Sequence, residues 1–314
     1  YSEVIGLQDF SKGAFIGMIL LFPAIVTFLI DLRKSDGESG SFSTKPVNVE
    51  KNKVRDTVLF IFVFIIIAFI VILMSSFVFM TFMKKYPYDI SLTFEHIKSV
   101  AQKDIFEYFG NSLLISALVA LIGTVIGYVT AYVSARTNNN LTTRILHLTS
   151  ISSLAIPGIV LGLGYVIAFN KSFLYGTIII LVFVNIIHFF SSPYMMAHNA
   201  MKKLNSNYED VGKTLGVGRF RILRDVFIPS TIDTITEMFV YFFVNSMITI
   251  SAVAFLYTTK TMPVSMMINQ FESNMAFESA AFVSLVILVT NIAAKIIFGI
   301  IQKIIKKVRL NSAC

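Results

Sequence analysis

Cysteine is almost absent. Cys314, the last residue, is the only one among 314, so no internal disulfide and no cysteine-based metal site is available. Histidine is also scarce at four, which leaves no Cys/His ligand set. Charge is the third shortage. Only 14% of residues are Asp, Glu, Lys or Arg, about half the share of an ordinary soluble domain, while 55% are hydrophobic. The apolar residues come in blocks, and that excludes an ordinary soluble enzyme in favour of an integral membrane protein. A net charge of +8 would suit a nucleic-acid partner, but where the positive residues fall argues against one.

Seven apolar spans are predicted: Gly13–Ile30, Thr57–Met83, Ser112–Ser134, Ile145–Phe169, Phe173–Ala200, Thr231–Tyr257 and Ala280–Ile301. Each approaches or exceeds the roughly 20 residues needed to cross the hydrocarbon. Lipid offers no partner to free peptide groups, so each span is expected to be helical. With the linker 33–56 in the cytoplasm, 18 of the 26 Lys and Arg fall on that side, seven fall outside, and Lys295 lies within a span. The asymmetry obeys the positive-inside rule and accounts for the net charge through the bilayer, with no nucleic acid.

The polar stretch "SDGESGSFSTKPVNVEKNKVRD" at 35–56 reads as a flexible cytoplasmic linker. Before it, Phe10, Ala14, Phe15, Leu21 and Ile25 recur as Phe277, Ala281, Phe282, Leu288 and Ile292 near the other end. Residues 1–32 are therefore expected to be the last helix of an upstream module, and 57–310 a six-helix module.

One compact basic stretch stands apart, "DVGKTLGVGRFRILRDVFIPS" at 210–230. Its Gly212-Lys213-Thr214 suggests a phosphate-binding loop, but that motif needs glycine at 207, where Asn207 stands. A DNA-reading helix-turn-helix is excluded because spans tether both ends. The stretch reads as two short helices at the membrane surface. Gly216 ends the first in a left-handed turn. Phe220, Leu223 and Phe227 form the apolar stripe of the second, and Pro229 stops it or opens the next span.

Asp210, Val211, Gly212, Gly216, Val226, Ile228 and Pro229, with Arg219 in the second helix, keep every spacing of the EAA loop, placed between two spans at the cytoplasmic side. In this the chain resembles the permease subunits of bacterial binding-protein-dependent ABC importers. The usual two alanines are replaced by Val211 and Gly212. The resemblance covers about 57–305 and extends to "NSLLISALVALIGTVIGYVTAYVSART" and "AIPGIVLGLGYVIAF". It implies an all-α, type I importer transmembrane domain in the bacterial plasma (inner) membrane. It also implies ABC ATPase subunits that bind ATP and grip the loop, an extracytoplasmic solute-binding protein, and a second permease module fused upstream. No cofactor or metal is expected on this chain, and no catalysis. The run "NSMITISAVAFLYT" and the fused layout most resemble permeases for 2-aminoethylphosphonate, with iron(III) permeases the alternative.

Several residues invite a place along the solute pathway. Pro157 and Gly158 interrupt a span. Asn185 and His188 share a helix face, and Asn245, Ser246, Thr249 and Ser251 are polar at membrane depth. For Gly123/Gly127 and Gly158/Gly162, close helix packing is the simpler reading. A secondary transporter or channel would more often bury charges to couple ions, and these spans are nearly charge-free.

Overall fold

In the computed structural model, residues 52–312 are described apart from 138, 139 and 206, together with five isolated helical positions before residue 27. The expected first span at 13–30 and most of the linker lie outside the described residues. The chain divides into two compact units.

One unit takes residues 29–105 and 267–286. Its main element is α1 (Lys53–Phe82), capped by the Asn52 side chain, which accepts from the amides of Val54 and Arg55 at 3.1 and 3.3 Å. α1 carries no charge after Asp56, and its most apolar window is wholly unburied by protein, as suits a helix whose solvent is lipid. The segment after α1 is built rather than looped. Strands β1 (Met83–Lys85) and β2 (Asp89–Leu92) pair antiparallel, and α2 (Glu95–Ala101) follows. The Tyr86 amide donates to the buried Glu278 carboxylate at 2.9 Å, and the Phe82 and Phe94 rings meet edge-on.

The other unit holds residues 106–266 and 287–314. It contains α3 (Ile105–Arg136), α4 (Leu141–Ser152, with a tight turn to Ala155), α5 (Gly158–Phe169), α6 (Ile178–Phe189) and α7 (Ser191–Lys203). Then come α8 (Tyr208–Thr214), α9 (Arg219–Ile222), α10 (Ile232–Ile248), α11 (Ser265–Ser273) and α12 (Phe277–Ser312), the last two shared with the first unit. Tyr194, Phe227, Phe242, Met238, Met247 and Leu256 are fully buried. A side chain at Gly123 would meet the Phe242 ring at 2.9 Å and one at Gly127 the Met238 methyl at 3.3 Å. That glycine pair is therefore the seat of α10 on α3.

Three expected straight spans are broken. The span 145–169 bends by 108° between α4 and α5, at Pro157. The span 173–200 begins later and bends by 52° between α6 and α7. The span 231–257 stops at Ile248, and 249–264 form turns. Its helix cannot continue cheaply, because Thr249 turns extended and its carbonyl accepts from Ser265 Oγ at 2.7 Å. The unwound backbone finds other partners. Asn111 Nδ2 donates to the Lys260 carbonyl at 2.9 Å, Ser112 Oγ accepts from the Val264 amide at 2.7 Å, and Tyr175 donates to the Phe255 carbonyl at 2.9 Å. Irregular backbone persists at membrane depth only where protein or a water-lined cavity satisfies it.

Candidate functional site: the loop at 205–230 and the helix breaks

The loop at 205–230 is a helix, a glycine turn and a second helix. α8 ends in a full Schellman motif: the Val217 amide donates to the Gly212 carbonyl at 2.8 Å and the Gly216 amide to that of Lys213 at 3.1 Å. Gly216 has φ +68° with nothing within 4 Å of a would-be Cβ. The demand for glycine there is backbone conformation alone. At Gly212 the demand is space, because a Cβ would land on the Ile222 Cδ1. An isoleucine across the turn thus fills the room that a side chain at 212 would need.

The expected stripe of Phe220, Leu223 and Phe227 does not form. Leu223–Phe227 is a π-helical turn, which brings Ile222 and Phe227, five apart, to the buried face. Phe220 is 78% exposed. Val226 and Leu223 are partly buried. Pro229 lies in the short turn before a 79° bend into α10. The outward surface comprises Asp210, Val211, Leu215, Arg219 and Phe220, with Ile228 at its edge. Asp210 accepts from Lys213 Nζ at 2.8 Å, and that hydrogen bond and charge hold its carboxyl below the ordinary carboxylate value.

What fastens the loop escaped the sequence reading. Tyr128, Tyr132 and Arg136 recur every four residues on α3 and so share one face. The Tyr128 hydroxyl and Thr231 Oγ1 hydrogen-bond at 2.8 Å, and Tyr132 meets the Phe227 ring edge-on at 5.3 Å. Arg136 forks onto Glu209, with Nε to Oε1 at 2.7 Å and Nη2 to Oε2, both side chains largely buried. Its remaining N–H groups donate to the carbonyls of Leu204 and Asn205 at 3.2 and 2.7 Å. Its guanidinium lies 4.9 Å over the Phe227 ring. One side chain thus satisfies the end of α7, neutralises α8 and stacks on the second helix. Beside it, Ser134 hydrogen-bonds Tyr194 and His198 at 2.7 and 2.9 Å, and Tyr194 hydrogen-bonds His147 at 2.7 Å. The rings of His147 and His198 stack at 4.7 Å.

The pathway candidates divide. Gly158, His188 and Ser251 come together: a Cβ on Gly158 would overlap Ser251 Oγ and sit 3.1 Å from His188 Cε1. Pro157 caps α5 at this point. Asn185 is buried, donating to the Leu181 carbonyl at 2.8 Å, and Asn245 donates to the Tyr241 carbonyl at 2.8 Å. Thr249 Oγ1 donates back to the Asn245 carbonyl at 2.6 Å. Among the described residues, Asn185 Oδ1, His188 Nδ1 and Ser246 Oγ are buried without a hydrogen-bond partner.

Solved structures that share this fold include two transporters. One is "a bacterial ABC transporter involved in the import of the acidic polysaccharide alginate", with TM-score 0.66 and 15% identity over 79% of this chain and 96% of that one. The other is "bacterial alginate ABC transporter in complex with alginate pentasaccharide-bound periplasmic protein", with TM-score 0.66 and 16% identity over 81% and 96%. No curated protein matched in sequence. Residues 123–307, more than half of the chain, match the family described as "Binding-protein-dependent transport system inner membrane component". The protein belongs to that family and is a non-catalytic permease subunit of a binding-protein-dependent ABC importer.

Proposed function

We propose that α8 and α9 dock on a separate ATPase subunit, which binds and hydrolyses the ATP, and that this chain forms half of the solute pathway. One observation carries the reading. A short helix, stopped by a Schellman turn and clamped from behind by Arg136, leaves Val211, Leu215 and Phe220 exposed at 53, 72 and 78%. Exposed apolar side chains beside Arg219 and Asp210 on a braced support suit a protein partner. An extracytoplasmic binding protein delivers the solute, and a further permease module, fused upstream through the linker, completes the pathway in a bacterial inner membrane. The solute is 2-aminoethylphosphonate. The resemblance of "NSMITISAVAFLYT" supports this. So do the neutral Asn245, Ser246, Thr249 and Ser251, which suit a polar organic solute better than the hard cation iron(III).

The docking test is Gly216→Val in the full transporter. A branched residue in the left-handed region costs about 1 kcal/mol or more. The variant should insert in the membrane, lose co-purification of the ATPase, and uncouple hydrolysis from uptake. Normal uptake with normal ATPase capture refutes the docking role. The solute test is titration of the solute-binding protein that works with this transporter. Tight binding of iron(III) and not of 2-aminoethylphosphonate reverses the assignment.

A further inference from the structure

Three helix breaks meet at one point. The break at Pro157 contributes Gly158, the end of α6 contributes His188, and the unwound segment after α10 contributes Ser251. The contact is intimate, since a methyl group added to Gly158 would overlap Ser251 Oγ and press on the His188 ring at 3.1 Å to Cε1 and 3.2 Å to Nε2. One turn along α5 the same fit repeats, with a Cβ on Gly162 at 2.8 Å from the Ala252 carbonyl. The first two breaks are also stapled to each other. Ser153 and Ser191 hydroxyls hydrogen-bond, and Ser191 Oγ donates to the Ser150 carbonyl at 2.8 Å.

A seam of this kind differs from ordinary helix packing in two respects. All three strands of backbone that form it have already left the helix or are about to, so each can rotate about its break without breaking intrahelical hydrogen bonds elsewhere. Its side chains are also polar and incompletely paired, since His188 Nδ1 is buried without a partner.

We infer that the Gly158–His188–Ser251 seam is the gate of the solute pathway, and that His188 and Ser251 meet a hydrogen-bonding oxygen of the solute when the seam parts. This rests on the importer reading above. Glycine at 158 lets the seam shut fully, and the imidazole and hydroxyl replace solvent around a solute hydroxyl or oxyanion without placing a fixed charge in the path.

The test uses the native cysteine count. In the full transporter with its ATPase and binding protein, Cys314→Ser removes the one thiol of these 314 residues, any other cysteine of the assembly is replaced by serine, and Gly158→Cys with Ser251→Cys sets a pair across the seam. Oxidation should lower ATP-driven uptake by about tenfold or more while hydrolysis continues, and dithiothreitol should restore it. Protein shown by mass to be cross-linked, yet transporting at the reduced rate, overturns the gate. If the Gly158→Cys chain does not assemble, Ser251→Cys alone is labelled with a membrane-impermeant methanethiosulfonate. Its reactivity should rise during ATP turnover, and an unchanged rate overturns the gate equally. For the solute contact, Ser251→Ala should raise KM for 2-aminoethylphosphonate by about tenfold with kcat kept. An unchanged KM removes the contact. Uptake independent of ATP in both redox states would instead overturn the importer reading beneath it.

Discussion

The Arg136–Glu209 pair gives the sharpest test of how the loop is held. Glu209→Gln keeps the shape of the side chain and removes its charge, leaving a buried guanidinium with only neutral partners. Breaking a buried pair by removing one member costs about 3–5 kcal/mol. Here the cost sits at the lower end, because Arg136 keeps the carbonyls of Leu204 and Asn205 at 3.2 and 2.7 Å and the face of Phe227. Taking about 3 kcal/mol, the local opening of α8 should become about 150-fold more frequent. Amide hydrogen exchange of residues 208–216 in lipid nanodiscs reads this directly, with α3 as the internal control. Coupling should suffer in parallel, with more ATP hydrolysed per solute imported. Replacing both members by apolar residues, Arg136→Met with Glu209→Leu, should recover much of the protection, since neither charge is then stranded. Unchanged exchange in Glu209→Gln, or a double variant worse than the sum of the singles, would refute the clamp.

Two further outcomes follow from exposure and from packing. Leu215→Ala and Phe220→Ala touch little within the chain, so melting of the isolated permease should move by no more than about 0.5 kcal/mol. ATPase affinity, read by surface plasmon resonance, should fall by more than about 1 kcal/mol each; full affinity in both moves the docking surface elsewhere. Gly123→Ala adds one methyl 2.9 Å from the Phe242 ring, inside contact distance. It should lower thermal stability by about 1–3 kcal/mol, and Phe242→Leu in the same chain should relieve part of that loss.

The apolar blocks at 57–83, 112–134 and 280–301 became long helices, and none of them contains a proline to interrupt the intrahelical ladder. The same hydropathy at 145–169, 173–200 and 231–257 concealed three breaks. A transfer scale registers Pro157 only as a small reduction in an apolar window, whereas it removes a backbone donor, and Thr249 and Ser251 register as mildly polar although the chain unwinds there. The loop was legible through Gly216 and Pro229, whose spacing is set by backbone conformation. Its inner face was not, because a single π-helical turn moves Phe220 out and Ile222 in, and no period of 3.6 carries that shift. Tyr128, Tyr132 and Arg136 lay in plain view at four-residue spacing, but that spacing on α3 names no partner until Thr231, Phe227 and Glu209 are placed against it.

The parts are contiguous, as the proposed coupling requires. The loop is fixed to α3 at Arg136, Tyr132 and Tyr128, and Thr231 at its exit begins α10. α10 lies on Gly123 and Gly127 of the same α3 through Phe242 and Met238, and its far end unwinds at Thr249 into the seam with Gly158 and His188. A 17-residue helix is about 25 Å long. A tilt of about 10° about its loop end therefore carries the far end about 4 Å, since helices move as rigid bodies while their breaks absorb the rotation. Ser251 lies in contact with Gly158, so a displacement of that size is enough to part them. Such a tilt moves the fully buried Phe242 and Met238 against the glycine seats on α3. A bulky residue at Gly123 would obstruct that movement as well as strain the packing. Coupling should then fall further than stability alone accounts for, while a stability loss with coupling intact would place the moving element elsewhere.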